Sequence, residues 1–285
     1  MRWIGEILSA LTPDTIVNAI EANLSAYYLP YSTLPGGMVH PEADVTWSTS
    51  GIPEPWFNWV VGAQFPHATE QRVATILAAI AARNLPILWH FRPTTGPTNL
   101  GAILRAHGLQ QFADEPCMAL DLQAMPVPPT PLVDFTIVQV RDADDLARWT
   151  AVWMAPIAEP TRQCCRSVYA QLGASPAAPW RYYLGLLDGV SVATVKLFYA
   201  AGVVGVQHLM TVPAARRRGI AAALVSHAIH QARLGGYQLA ALTAIPVGYE
   251  PYRRLGFREY GRWGSYLWRP ASGSTGVPQT ASPSG

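Results

Sequence analysis

The sequence predicts an α/β protein with a mixed sheet (an α+β arrangement) in two domains, each a mostly antiparallel sheet flanked by helices. Segments of strand-like alternation and segments of helical spacing follow one another along the chain. A proline-rich segment divides the 285 residues near their middle, and similar elements lie before and after it. A chain of this length also exceeds the usual size of one hydrophobic core.

Three local signals define the elements of the second half. Asp142 to Asp145 offer an N-cap and first-turn acids for a helix. Asp188-Gly189 supplies the positive φ angles of a tight hairpin turn, and Gly235-Gly236 ends a helix. The predicted elements are strand 135–140, a helix toward Trp153, strands 181–187, 191–198 and 203–212, helix 220–234, strand 237–243, a short helix ending at Gly256 and a final strand through Trp268.

The first half carries a weaker copy of the later part of this order. Residues 105–112, which read RAHGLQQF, align with residues 253–260, which read RRLGFREY, at a constant offset of 148. An offset this long indicates duplicated domains rather than a short repeat. The predicted elements of the copy are strand 57–65, helix 69–83, strand 85–91, helix 99–107 and strand 118–122.

Domain boundaries follow from composition. Four prolines lie within residues 125–131, where they block both helix and sheet pairing. We therefore expect one domain at 1–124, a linker at 125–133 and a second domain at 134–270. Residues 271–285 are rich in Ser, Gly, Thr and Pro, which predicts a disordered tail.

Composition excludes several classes of function. Half of the residues are apolar, 13% are charged and the formal net charge is +2, as expected for a well-packed globular protein. The only basic cluster is Arg216 to Arg218, so the sequence predicts no nucleic-acid partner, and no apolar run is long enough to span a membrane. An odd cysteine count without metal-ligand spacing favours a reducing, cytoplasmic location. His227 and His230 lie three residues apart, but no third ligand is evident, so we predict no metal.

One segment is suited to binding a phosphate group. Residues 206–224 form a strand that passes through one turn directly into a helix. The first amides of a helix lack internal partners and the helix dipole adds positive charge there, so an anion is bound favourably. Gly219 allows close approach of the backbone, Ala221 leaves room, and Arg side chains add charge-assisted hydrogen bonds.

Together with Tyr252-Arg-Arg-Leu-Gly-Phe257, this segment resembles the GNAT superfamily of N-acetyltransferases. The resemblance covers about 134–270 and, more weakly, the first half. It implies two GNAT-like domains, acetyl-CoA as co-substrate and an N-acetyltransferase activity on a small-molecule or peptide amine. Arg216, Gly219 and Ala221 match the family's pyrophosphate signature. The residues implied to bind the cofactor are Leu209, Met210, Thr211, Val212, Arg216, Arg217, Arg218, Gly219, Ile220, Ala221 and Ala222.

The resemblance also implies two catalytic residues. Tyr252 falls where the family places its general acid, and a phenol can protonate a departing thiolate while staying protonated itself at neutral pH. His208 is the nearest candidate for the group that accepts a proton from the attacking amine. Strand alternation puts His208 and Leu209 on opposite faces, so a bulge is needed if the substrate lies on the face of Leu209.

The first half lacks these features. Residues 65–70 join strand to helix without glycine and place Glu70 where a phosphate would bind, and Leu104 stands at the position of Tyr252. We therefore expect a degenerate GNAT-like domain at 1–124. Two alternatives stay open: an acyl-CoA-binding module without turnover, and an Arg cluster that docks on nucleic acid or protein. The acceptor also stays open among antibiotics, polyamines, amino acids and protein amines.

Overall fold

The computed structural model describes residues 6–65, 69–92, 97–125 and 132–270. Most of the predicted linker and all of the predicted tail lie outside these residues. The helices are α1 (Pro13–Tyr27), α2 (Thr69–Ala81), α3 (Leu100–Ala106), α4 (Ala143–Trp153), α5 (Thr161–Leu172), α6 (Ile220–Leu234) and α7 (Pro246–Arg254). The strands are β1 (Met38–Pro41), β2 (Thr46–Thr49), β3 (Trp59–Val61), β4 (Ile87–Phe91), β5 (Gln110–Asp121), β6 (Phe135–Gln139), β7 (Trp180–Leu187), β8 (Val190–Ala200), β9 (Val203–Thr211), β10 (Leu239–Thr243) and β11 (Arg258–Trp268).

The local signals of the second half act as predicted. The Asp142 carboxylate accepts a hydrogen bond from the Asp145 amide at 2.8 Å and caps α4. Asp188 and Gly189 have φ angles of 50° and 78° and close the β7–β8 hairpin. The predicted mixed α/β class is confirmed.

The described residues form two compact units, and the first contains residues 6–26 and 117–260. Its strands lie in the order β6, β7, β8, β9, β10 and the end of β5. Neighbouring strands are antiparallel except β9 and β10, which are parallel. The helices α4 and α6 both contact β8. Because side chains alternate along a strand, two helix layers can pack on β8 from its two faces.

The second unit contains residues 27–116 and 261–270 of the described chain. Its strands lie in the order β1, β2, β3, β4 and the end of β11, and only β3 and β4 are parallel among them. Helix α2 joins β3 to β4 as α6 joins β9 to β10. Its core contains Val73, Ile76, Leu77 and Ile80 of α2 together with Trp89 and Tyr266. This unit therefore repeats the strand–helix–strand motif of the first.

The last strand of each half is exchanged between the units. Residues 117–121 of β5 pair with β10 in the first unit, whereas residues 264–268 of β11 pair with β4 in the second. The predicted domains at 1–124 and 134–270 do not include this exchange. They also assign α1 to the first half, whereas residues 6–26 belong to the unit that contains β6 to β10.

Helix α1 is bound to the strands of the first unit through the buried side-chain amide of Asn23. Asn23 is 1% exposed, and its Nδ2 donates to the carbonyls of Phe198, Ala200 and Val203 at 3.0–3.4 Å. A Cβ atom on Gly205 would lie only 2.4 Å from Asn23 Oδ1, so the strand needs glycine at that position. This contact ties α1 to the β8–β9 hairpin.

Several elements were not predicted from the sequence. These are α1, β1, β2 and α5; in addition, β5 begins at Gln110 rather than at Met118, and β3 is only three residues long. The missed helix α5 is the one that matters for the candidate site, because it supplies Tyr169. None of the described helices has the length and apolar character that crossing a bilayer requires.

Candidate active site

The turn between β9 and α6 has the geometry that an anion site requires. Residues 216–219 are exposed, and Gly219 is the N-cap of α6 with a φ of 78°. Arg217 also has a left-handed φ of 60°. Arg216 Nε donates to the Thr211 carbonyl at 3.0 Å, which ties the turn to the end of β9. The amides that begin α6 therefore face an exposed, pre-formed turn.

The residues that follow Gly219 keep this helix start accessible. Ile220 is buried and anchors the first turn in the core, whereas Ala221 and Ala222 are half-buried. A Cβ atom on Gly219 would meet only Leu132 Cδ2, at 3.7 Å. A side chain at position 219 would therefore have room. Glycine is favoured at this position because its φ is positive.

Strands β9 and β10 pair only over a short stretch. Among the described residues, Val204 pairs with Ala240 and Gly205 pairs with Ala241. Strand β9 nevertheless continues to Thr211. The C-terminal part of β9 thus has its β10-facing edge unpaired. Thr211 is 8% exposed, and its Oγ1 has no hydrogen-bond partner within the described part of the chain. This edge therefore has backbone groups that β10 does not pair with.

The other edge of β9 is occupied. The amide of Val212 donates to the Val192 carbonyl at 2.9 Å, on the β8 side. Because successive amides of a strand point to opposite edges, the Thr211 amide points away from β8. Of the predicted strand residues, Leu209 is half-buried and Met210 is buried.

A bulge lies at His208. The register of β8 with β9 shifts between Thr194 and Lys196, which face Met210 and Gln207, and His208 has a φ of 52°. The carbonyl of His208 accepts a hydrogen bond from Thr194 Oγ1 at 3.1 Å. The bulge that the sequence argument required for His208 is therefore present.

The His208 side chain lies among aromatic rings of α4 and α5. Its Nε2 is 2.9 Å from the Tyr169 hydroxyl, and its ring centroid is 4.0 Å from that of Trp153. Burial, with a smaller contribution from the charge of Lys196, lowers the pKa of His208 well below its usual range. The imidazole is therefore neutral at physiological pH, and its Nε2 is engaged with the Tyr169 hydroxyl.

Tyr252 lies on α7 and is 9% exposed. Its ring contacts Phe257 edge-on at 5.6 Å, and it belongs to the core that includes residues of α6. Burial raises the pKa of the Tyr252 phenol, so the group keeps its proton across the physiological range. Gly248 lies against the ring, because a Cβ atom there would be 3.2 Å from Tyr252 Cε2.

Sequence reasoning missed two residues beside His208. Tyr169 comes from the helix that was not predicted, and Lys196 is the single lysine of the chain. A lysine within the apolar strand pattern of β8 was a signal that could have identified a buried cation. His227 and His230 lie on α6, and the described residues contain no group of three or more His, Cys, Asp or Glu side chains that could hold a metal ion.

The second unit has no equivalent of these groups where the structure describes it. Glu70 lies in the first turn of α2, and Leu104 is fully buried in the core of that unit. Residues 66–68, which precede α2, lie outside the described chain. A negative charge at a helix start disfavours a phosphate.

Comparisons with known proteins show what part of the chain and its fold resemble. Residues 190–260 match the family model described as acetyltransferase (GNAT) domain. No curated protein sequence matches the chain. A GCN5-related N-acetyltransferase from Kribbella flavida has a similar fold, with 22% identity, a TM-score of 0.70 and coverage of 89% of this chain and 96% of that one.

Two further solved structures have the same architecture. A tandem GNAT protein from the clavulanic acid biosynthesis pathway has 10% identity and a TM-score of 0.61, and a GCN5-related N-acetyltransferase from Sphaerobacter thermophilus has 15% identity and the same TM-score. In both cases 92% of this chain and 96% of the other are covered. The predicted resemblance is confirmed: the chain has the GNAT fold in a tandem arrangement, and its second half carries the family's sequence signature.

Proposed function

We propose that this chain is an acetyl-CoA-dependent N-acetyltransferase that moves an acetyl group directly from the thioester to a primary amine. The observation that carries the proposal is the join of β9 to α6. There an exposed turn with left-handed Gly219 leads into a helix start, beside a strand edge that has separated from β10.

The turn would hold the diphosphate of the co-substrate. Amides from Arg217 to Ala222 supply hydrogen bonds at the positive end of the α6 dipole. Arg217 and Arg218 are exposed and can add charge-assisted hydrogen bonds, whereas Arg216 already donates to the Thr211 carbonyl. We assign Arg216 the role of fixing the turn.

The unpaired edge of β9 would hold the pantetheine arm. An extended arm with amide groups can pair with a strand edge as a further strand does. The Thr211 amide, which points away from β8, is suited to this contact. An amide aimed at the acetyl carbonyl would stabilise the negative charge that develops on its oxygen.

Two side chains would handle protons. Acetyl-CoA supplies an activated acetyl thioester. His208, neutral and set at the bulge, would accept the proton of the attacking amine, and Tyr252 would hold the proton that the leaving thiolate requires. Both roles follow from the protonation states that burial imposes on these groups.

The proposal is tested by thiol release from acetyl-CoA across a panel of amines that includes aminoglycosides, polyamines, free amino acids and peptides. We expect turnover with at least one class of primary amine and none with the matching tertiary amines. Binding of coenzyme A without turnover on any amine would instead indicate an acyl-CoA-binding module. Absence of any affinity for coenzyme A would contradict both.

A further inference from the structure

Lys196 is the single lysine of the chain, and it is buried. It lies in the middle of β8 and is 2% exposed. Lysine is among the residues least often buried, because an ammonium loses its hydration in the protein interior. A position that keeps such a group must offer it compensation.

The compensation is a cage of aromatic rings, defined here as Tyr169, Trp180 and Tyr182. Lys196 Nζ is 5.3 Å from the ring centroids of Tyr169 and Trp180 and 5.6 Å from that of Tyr182. Tyr169 comes from α5 and the other two rings come from β7. The negative faces of the rings attract the cation. Burial nevertheless lowers the pKa of Lys196 to about 7.

One member of the cage also holds His208. Tyr169 presents its ring to Lys196 and its hydroxyl to His208 Nε2, at 2.9 Å. The Tyr169 ring is thus fixed from two sides. The charge of Lys196 also disfavours an imidazolium at His208, as a smaller effect than burial. Lys196, Tyr169 and His208 thus form a continuous series of side-chain contacts from β8 through α5 to the bulge of β9.

Residues of α4, α5 and β7 surround Lys196, Tyr169 and His208. Helix α4 contributes the rings of Trp149 and Trp153, which do not titrate. Strand β7 contributes Tyr182, and α5 buries Cys165 one turn before Tyr169. Among the neighbours named here, Lys196 is the cation.

We propose that Lys196 is a positioning residue for acyl transfer: through the cage it holds Tyr169 against His208, the group proposed to take a proton from an amine, and it presents a positive charge to that imidazole. The inference rests on the proposed function for its role in turnover. The electrostatic part concerns the protein alone and can be measured without any substrate.

The first experiment titrates the protein by NMR. Because the chain has one lysine, lysine labelled with ¹⁵N gives a single side-chain signal, and a His208→Gln variant identifies the His208 signal among the seven histidines. We expect the His208 midpoint to rise in Lys196→Met by about one pH unit, a tenfold gain in proton affinity. Lys196→Arg keeps the charge and should leave the midpoint near that of the wild type. An unchanged midpoint in Lys196→Met overturns the inference.

The second experiment measures thiol release against pH. In Lys196→Met we expect the acidic limb of kcat/KM to move to higher pH, because His208 protonates more readily. Tyr169→Phe keeps the ring over Lys196 but loses the bond to His208, so kcat should fall. Tyr183→Phe, the neighbouring phenol on the opposite face of β7, should not change it. A uniform loss of kcat in Lys196→Met, with an unshifted pH profile, would indicate a purely structural role.

The two experiments separate the possible failures. If the wild-type protein shows no turnover with any amine, the proposed function fails, while the NMR titration still decides whether Lys196 controls His208. If turnover occurs and the titration midpoint of His208 is the same in the wild type and in Lys196→Met, only the present inference fails.

Discussion

At the scale of single residues, burial sets the protonation state of each proposed catalytic group. Tyr252 keeps its proton because a phenolate would lose its hydration inside the core, and His208 stays neutral because an imidazolium would do the same. One group can therefore give a proton and the other can take one at the same pH. This division of roles requires no charged carboxylate.

The role of Tyr252 predicts a specific kinetic change. In Tyr252→Phe the ring remains in the core, while the proton for the thiolate is lost. We expect kcat to fall by about 100-fold, with little change in affinity for acetyl-CoA. Steady-state kinetics and calorimetric binding measure the two quantities. The control is Tyr249→Phe, whose hydroxyl bonds to Glu259 at the surface. An unchanged kcat in Tyr252→Phe would remove this residue from the mechanism.

The buried Lys196 predicts a pH-dependent stability. Its pKa in the folded protein is about 7, below the ordinary lysine value of 10.5, so the unfolded chain binds the proton more tightly between these values. The cost of burying the cation is thus complete below pH 7 and disappears as the pH approaches 10.5.

Lys196→Met removes that cost. We expect its free energy of unfolding at pH 6 to exceed that of the wild type by several kcal/mol, since each pKa unit corresponds to about 1.4 kcal/mol, and we expect the gain to shrink by pH 10. Denaturant titrations at both pH values measure this. A variant that is less stable than the wild type at pH 6 would contradict the pKa assigned to Lys196.

Motifs predicted some of these residues and not others. Tyr252 and Gly219 lie in short segments whose spacing is visible in the sequence. Tyr169 approaches His208 across 39 residues, from the unpredicted helix α5. No local pattern encodes that contact, because it depends on how α5 packs against β9.

At the scale of elements, the join of β9 to α6 was predictable because it is local. A strand, one turn with glycine and a helix of regular apolar spacing follow one another within about 30 residues, and the bounds of α6 agree with the prediction. The pairing of β9 with β10 over only two residue pairs was not visible, because register between distant strands is not a local property.

Two glycines provide a matched test of the turn. Gly219 and Gly189 both have a φ of 78°, and neither is crowded. Replacement by alanine should cost about 1 kcal/mol of stability at either site, since both force a side chain into the left-handed region. Only Gly219→Ala should weaken coenzyme A binding, by about tenfold or more, because it re-aims the amides that begin α6. Equal affinities of the two variants for coenzyme A would contradict the assignment of the turn.

At the scale of the whole molecule, the exchange of terminal strands links the two halves of the sequence. The repeat at an offset of 148 residues predicted duplicated domains. It carried no information on which sheet each final strand joins, because the pairing of distant strands is not a local property of the sequence. The boundaries of the two compact units therefore differ from the domain boundaries predicted from the sequence.

This exchange predicts the behaviour of a truncated protein. A fragment of residues 134–270 lacks residues 117–121, which pair with β10, and lacks Asn23, which binds the β8–β9 hairpin. We expect the fragment to lose cooperative unfolding and coenzyme A binding, as followed by circular dichroism and calorimetry. A fragment that unfolds at the temperature of the full chain would contradict the assignment of these segments to the first unit.

The central claim is that the start of α6 binds the diphosphate of coenzyme A. The most direct measurement is the change in backbone amide NMR shifts on titration with coenzyme A, compared with pantetheine, which has no diphosphate. The account predicts that coenzyme A shifts the amides of Gly219 to Ala222 most strongly and that pantetheine leaves them nearly unchanged. Equal effects of the two ligands at these amides, or no effect of coenzyme A there, would contradict it.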